Sequence, residues 1–189
     1  MIAGETRNGF TPDYQDEANH PLLGTALTAR EQAVGAEMIT GDKTVDGDNI
    51  TIRIAMEEDV PSLVTLLTQL TTMSRDTAVS TFRRLKLYPD YNVYIGLTQD
   101  RVVGTFGLMI MDNIGHNGAP IAVVENVVVD SGSRRQGIGR KMLTFAAATA
   151  RQKQCYKMIL ASNVRLTESH QFYESLGFAK QGYAFSLDL

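Results

Sequence analysis

The spacing of apolar residues changes period several times along the chain, and each change marks an expected element. Residues 50–56, "ITIRIAM", alternate like a strand, and in "EEDVPSLVTLLTQL" Val60, Leu63, Val64, Leu67 and Leu70 recur at helical spacing. Asp59, two residues before Pro61, is a candidate N-cap for that helix. A second helix is expected over about 76–87. "YNVYIGLTQDRVVGTFGLMIM" then reads as two strands joined at Gln99 and Asp100, a hairpin. Beyond the loop "DNIGHNGAP" come a strand "IAVVENVVV", a helix over about 137–154, a strand "YKMILAS", a helix over about 167–176 and a terminal strand "GYAFSLDL". There is no internal repeat. This order predicts an α/β fold built on one mixed sheet with helices on its faces.

Composition narrows the picture. A chain of 189 residues with 43% hydrophobic content is long enough for one well-buried domain. The formal net charge of -3 and a sequence pI near 5.6 give no basic footprint, so no nucleic-acid partner is expected. The single cysteine, Cys155, excludes an intramolecular disulfide framework and a thiolate zinc cluster, which fits a reducing, cytoplasmic setting with no metal. The polar N-terminus lacks the apolar stretch of a secretory signal, and no window approaches the roughly 18 apolar residues of a membrane helix, so a soluble protein without a membrane partner is expected. Charge also divides the chain. Residues 1–48 carry nine acidic residues against Arg7, Arg30 and Lys43, which leaves the body mildly basic. We therefore expect an acidic N-terminal extension, 1–48, with one short helix over about 29–39 behind a Thr28/Glu31 capping box, and a folded domain over 49–189. The extension's acidity suits the basic body of a second subunit, so a homodimer is one expectation.

The segment "VENVVVDSGSRRQGIGRKML", residues 124–143, joins a β-branched strand to a glycine-opened helix through a turn carrying two arginines. Gly132 and Gly137 have Walker-loop spacing, but Ile138 and Gly139 stand where Lys and Ser or Thr are needed. Gly137 and Gly139 could begin a dinucleotide fingerprint, but Met142 occupies the third glycine position. What remains is Arg134-x-x-Gly137-x-Gly139 at a strand-to-helix junction. Glycines let backbone approach a ligand, and the free N–H groups of a first helical turn point at it, which suits a pyrophosphate. Arg134, Arg135, Arg140 and Lys141 add positive charge where it opposes the helix dipole by roughly 0.3–1 kcal/mol each, a cost that an anion would offset. A basic helix start serving only the fold is the competing reading.

Arg134-Arg135-Gln136-Gly137-Ile138-Gly139 resembles the acyl-coenzyme A signature of the GNAT superfamily of N-acetyltransferases. "ASNVRLTESHQFYESLGF", residues 161–178, is similar to that family's C-terminal block, with His170, Phe172, Tyr173, Glu174, Gly177 and Phe178 in place. The resemblance covers about residues 50–189. It implies a mostly antiparallel sheet with helices on both faces, whose fourth and fifth strands splay apart. Acetyl-coenzyme A is the implied cosubstrate, its pantetheine bonding the main chain of Asn126, Val127, Val128 and Val129. Its pyrophosphate would meet the N–H groups of Arg135, Gln136, Gly137, Ile138, Gly139 and Arg140.

The implied reaction is direct acetyl transfer to the primary amine of a small molecule. Such an amine must lose a proton to attack, the developing oxyanion needs N–H donors, and the departing thiolate needs an acid. Tyr173 occupies the family's acid position; the competing reading is a tyrosine packing its helix on the sheet. Glu125, which interrupts an apolar strand, is the candidate base, alone or through water, and strand alternation places it on the face of Val123, Val127 and Val129. The backbone near Val127 is the candidate oxyanion donor. The family's usual asparagine, seven positions before the tyrosine, is replaced by Leu166, so Asn163 upstream is a candidate cofactor contact instead. His170 reads as a packing residue, His116 as a solvated loop histidine and Cys155 as core. Substrate residues are expected within about 68–92 and 112–119, which hold Arg75, Arg83, Arg84, Lys86, Tyr88, Tyr91 and Asp112. Acetylation of a protein or peptide amine, and a non-catalytic coenzyme A binding module, are the alternatives.

Overall fold

A computed structural model describes residues 50–187. The expected acidic extension and its helix lie outside the described residues. Five strands form one sheet in the order β1 (Thr51–Ile54), β2 (Tyr91–Thr98), β3 (Arg101–Met111), β4 (Ile121–Val129) and β5 (Lys157–Leu160). The first four pair antiparallel and β4 pairs β5 in parallel. Gln99 and Asp100 both take positive φ, 48° and 60°, as a two-residue hairpin turn between right-twisted strands requires.

Helices cover both faces because the strands alternate apolar residues between them. On one face α1 (Val60–Leu67) and α2 (Arg75–Leu85) bury Val60, Leu63, Ala78 and Phe82 against Ile95. On the other, α3 (Ile138–Gln152) sets Met142, Leu143, Phe145 and Ala146 against Tyr94, Phe106, Leu108 and Val124. The last helix, α4 (Thr167–Glu174), joins this second cluster through Phe172 and Tyr173. Burying these aliphatic and aromatic side chains stabilises the fold by about 1.5–3 kcal/mol each. Among the described residues no helix is long and apolar enough to cross a membrane.

Three expectations change. Asp59 does not cap α1 through its side chain. Its buried carboxylate instead accepts from both terminal guanidinium nitrogens of Arg53, at 2.7 and 2.9 Å, and from the N–H of Met56 at 2.7 Å. Among the described residues the terminal strand does not form: residues 178–187 make no ladder, and Tyr183, Phe185 and Leu187 are 91%, 94% and 84% exposed. The alternation is that of a strand, but a strand's hydrogen bonds all run to a neighbour, and the tail has none among the described residues. The third change is a bulge in β4, where Asn126 and Val127 together oppose Phe106 between the pairs Gly107–Glu125 and Thr105–Val128. Asn126 sits at φ 51°, left-handed backbone that asparagine tolerates. The extra residue reverses the alternation, so Val127 and Val129 pack toward α3 with Ala122 and Val124. Glu125 therefore shares its face with Val123, not with Val127 or Val129.

Candidate active site

β4 and β5 diverge as the resemblance implied. Their pairing runs from Ile121–Lys157 to Val124–Leu160, where β5 ends, while β4 continues from Glu125 to Val129. Among the described residues the edge of β4 facing the gap thus runs without a strand partner, leaving main-chain donors and acceptors for an extended ligand. The bulge lies at the point of divergence, with Glu125 and Asn126 exposed and Val128 buried.

The gap leads to the arginine–glycine loop. A buried Ser133 anchors the turn after β4: Arg101 donates to its Oγ and to Asp130 Oδ2, both at 3.0 Å, and the Ser133 N–H donates to the Asp130 carbonyl at 2.8 Å. Arg135 and Gly137 then adopt left-handed backbone, φ 60° and 80°. Such successive turns form a concave nest of N–H groups. Gly137 precedes α3 with no side-chain cap, and no acidic residue stands in the helix's first turn. The first N–H groups of α3 are therefore open to an anion at the positive end of the dipole.

The two motif glycines do different work. A Cβ at Gly137 would meet nothing within 4 Å, whereas one at Gly139 would lie 3.1 Å from Phe172 and 3.5 Å from Val129. Gly137 supplies backbone shape and space; Gly139 lets α4 and β4 close onto α3. Ile138 buries its side chain in the core, which leaves only its main chain to the loop. The flanking side chains shape the rim. Arg134 donates to the Val129 carbonyl at 3.2 Å and to Gln69 Oε1, so it ties the loop to the chain just after α1. Arg140 donates to Ser175 Oγ at 3.2 Å, and Gln136 reaches the Gly132 carbonyl at 3.4 Å. Nothing in the spacing of residues foretold Gln69.

Tyr173 is half-buried between Phe172 and Phe178, its ring 5.4 and 5.9 Å from theirs, and burial pushes its phenol pKa up. It packs its helix and also keeps a proton at neutral pH. On the α1/α2 face, Glu125 stands beside Tyr91. Burial first and the charge of Glu125 second raise the Tyr91 phenol pKa. Asn163 turns inward on its own loop: its Oδ1 accepts the Arg165 N–H at 2.9 Å, and its carbonyl bonds His170 Nε2 at 2.9 Å. His170 is thus a loop anchor. His116 is exposed but stacked on Tyr156, ring centroids 3.8 Å apart. Cys155 precedes β5 and packs against the α3 core, its thiol pKa pushed up by burial. Of the substrate candidates, Arg83 is engaged by Glu57, and Lys86 lies over the Phe82 ring at 5.0 Å. Among the described residues no three His, Cys, Asp or Glu side chains gather as a metal site.

An open sheet with a diverging β4/β5 pair and an uncapped, basic, glycine-bounded helix start defines an acyl-coenzyme A fold. Residues 61–178 match the model of the acetyltransferase (GNAT) family, and the chain belongs to that family. It is similar to glucosamine 6-phosphate N-acetyltransferase of Trypanosoma brucei brucei, 37% identical over 89 residues. That match spans 47% of this chain and 58% of the relative, so the chain spans little more than half of that relative's length. Aminoalkylphosphonate N-acetyltransferase of Salmonella typhimurium (strain LT2) is 26% identical over 137 residues, 71% of this chain and 88% of the relative. Among solved structures, glucosamine-6-phosphate N-acetyltransferase from Arabidopsis thaliana superposes with a TM-score of 0.67 at 25% identity, over 75% of this chain and 99% of that one.

Proposed function

We propose that this protein transfers an acetyl group from acetyl-coenzyme A to the primary amine of a small molecule, within a complex that holds both. The carrying observation is the continuous path from the unpartnered edge of β4 into the nest that opens α3. Asn126, Val127, Val128 and Val129 would hold the pantetheine through main chain. Arg135 to Arg140 would meet the pyrophosphate with N–H groups, while Arg134 and Lys141 supply charge at the rim. Asn163 is the weakest of the expected contacts, because its side-chain oxygen is already engaged. When bound, acetyl-coenzyme A supplies an activated acyl carbon and a thiolate leaving group. Glu125 takes the proton from the incoming amine, directly or through water, at the mouth of the gap. The backbone near Val127, turned by the bulge, donates to the oxygen that gains charge. Tyr173 holds a proton for the departing sulphur, and its raised pKa keeps that proton in place through the neutral range.

Two relatives with different carbon skeletons, a glucosamine phosphate and an aminoalkylphosphonate enzyme, share an acceptor that joins an amine to an anionic phosphorus group. This supports an acidic small amine as the acceptor here. The test is thiol release from acetyl-coenzyme A with glucosamine 6-phosphate, an aminoalkylphosphonate and a basic peptide in parallel, with coenzyme A binding measured by calorimetry. Turnover on either small amine is expected. Turnover on the peptide alone would redirect the acceptor to proteins; binding without any turnover would leave a regulatory coenzyme A module.

The setting we propose is cytoplasmic, in line with a single free thiol and a coenzyme A substrate. A homodimer is supported by the tail: Tyr183, Phe185 and Leu187 present an alternating apolar row, while β5 is a short edge strand with Ile159 40% exposed. A second copy's tail fits that edge in chemistry and period. Residues 1–48 would form a separate acidic extension on the 49–189 catalytic domain.

A further inference from the structure

Glu125 has a neighbour that the family motifs do not contain. Tyr91 is the first residue of β2, and alternation places it on the α1/α2 face with Val93 and Ile95. One strand, β3, separates β2 from β4, and the Tyr91 phenol reaches toward Glu125 because β3 offers no side chain between them. The intervening residue is Gly107, paired on one side with Val93 and on the other with Glu125. A Cβ at Gly107 would lie 2.6 Å from Tyr91 Oη and 3.3 Å from its Cζ, with the Glu125 carbonyl 3.7 Å away on the far side. The glycine is a shelf on which the phenol lies, and any side chain there would push it off.

Tyr91 also lines a groove, a cavity of 450 Å³ shared with Phe82, Leu85, Lys86 and Asp90, a size that suits one small molecule. Its hydroxyl makes no hydrogen bond among the described residues, while the nearby Glu125 charge favours the protonated, donating form. A phenol left unpaired beside a carboxylate, at the margin of a ligand-sized groove, is placed to donate to whatever enters.

We propose that Tyr91 is the specificity-determining residue of the acceptor subsite, donating a hydrogen bond to an oxygen of the amine substrate beside Glu125, with Gly107 as the space that makes this reach possible. This inference rests on the acetyl-transfer reading. The orientation of Tyr91 fixes which way the acceptor's polar end points, and so brings its amine to the Glu125 carboxylate. A site that hydrogen-bonds a substrate oxygen discriminates strongly against an acceptor lacking it, because the phenol is then left unpaired.

The test is a double-mutant cycle on Tyr91→Phe and Gly107→Ala, with glucosamine 6-phosphate and an aminoalkylphosphonate as acceptors. Each single variant should raise KM for the better acceptor about tenfold, with the acetyl-coenzyme A KM and the melting temperature little changed. The double variant should be no worse than Tyr91→Phe alone, since Gly107→Ala acts only by displacing the hydroxyl. Additive losses, or unchanged amine KM in an active wild type, would overturn the assignment of Tyr91 and leave acetyl transfer standing. No turnover by the wild type on any amine would overturn both. A readout independent of turnover is tyrosinate absorbance: Glu125→Gln should lower the ionisation pH of one tyrosine, and should lower none in the Tyr91→Phe background. An identical shift in both backgrounds would also sink the pairing.

Discussion

Tyr173 packs its helix, and the acid role proposed for it rests on the same burial. Its ring fills the space between Phe172 and Phe178, and the burial that results raises the phenol pKa and keeps the proton on. Tyr173→Phe retains the packing and removes the proton, so kcat for acetyl transfer should fall by about 10²-fold while coenzyme A affinity and melting temperature hold. An undiminished kcat would return Tyr173 to packing alone. Asp59 makes a different use of burial, which on its own would raise the carboxyl pKa. The hydrogen bonds from Arg53 and the Met56 N–H, with the Arg53 charge, outweigh it and hold the group below the usual carboxylate range. A depressed folded pKa contributes stability above the unfolded value of about 3.9, and that contribution is lost as pH falls through the folded value. Asp59→Ala should therefore cost about 2 kcal/mol at pH 7 in denaturant melts, with the gap to wild type closing in acid. A gap that persisted at low pH would contradict this account.

The loop between β4 and α3 carries its information in backbone shape, and its two glycines should separate under mutation. Gly137→Ala must hold a Cβ at φ 80°, a cost of about 1–2 kcal/mol, and should weaken coenzyme A binding by distorting the nest. Arg134→Glu reverses a rim charge and breaks the ties to Gln69 and Val129, so coenzyme A affinity should drop about tenfold or more and depend less on salt than in the wild type. Calorimetry across a salt series reads both effects, and an affinity unchanged in either variant would count against the phosphate assignment. The loop itself was legible in sequence because glycine at a strand-to-helix junction, followed by basic residues with no acidic residue in the first helical turn, is a local signal. The bulge in β4 was not. "IAVVENVVV" looks like an unbroken strand, and only the register against β3 reveals that Asn126 and Val127 share one partner. That single extra residue separates Glu125 from Val127 and Val129, which simple alternation had put on one face.

At the scale of the molecule the open question is what covers the tail and the β5 edge. If a second copy does, the protein in solution should weigh twice its 20.8 kDa chain mass by sedimentation, and Phe185→Asp should convert it to monomer. A wild-type monomer would dismiss strand exchange. By itself the sequence determined the order of the five strands of the sheet and the four helices among the described residues, the hairpin at Gln99 and Asp100, and the glycine-bounded turn that opens α3. Those properties depend on periodicity and backbone preference among near neighbours in the chain. The divergence of β4 from β5 was legible only through the family motifs, since no local pattern says where a parallel pairing stops. Tertiary structure alone decided the placement of Tyr91 across Gly107 beside Glu125, the engagement of Arg134 by Gln69, and the failure of the tail to join the sheet. Each of these depends on pairing and contact between residues far apart in sequence. An apolar alternation can state that a segment is fit to be a strand, but only a partner's N–H and C=O groups can make it one.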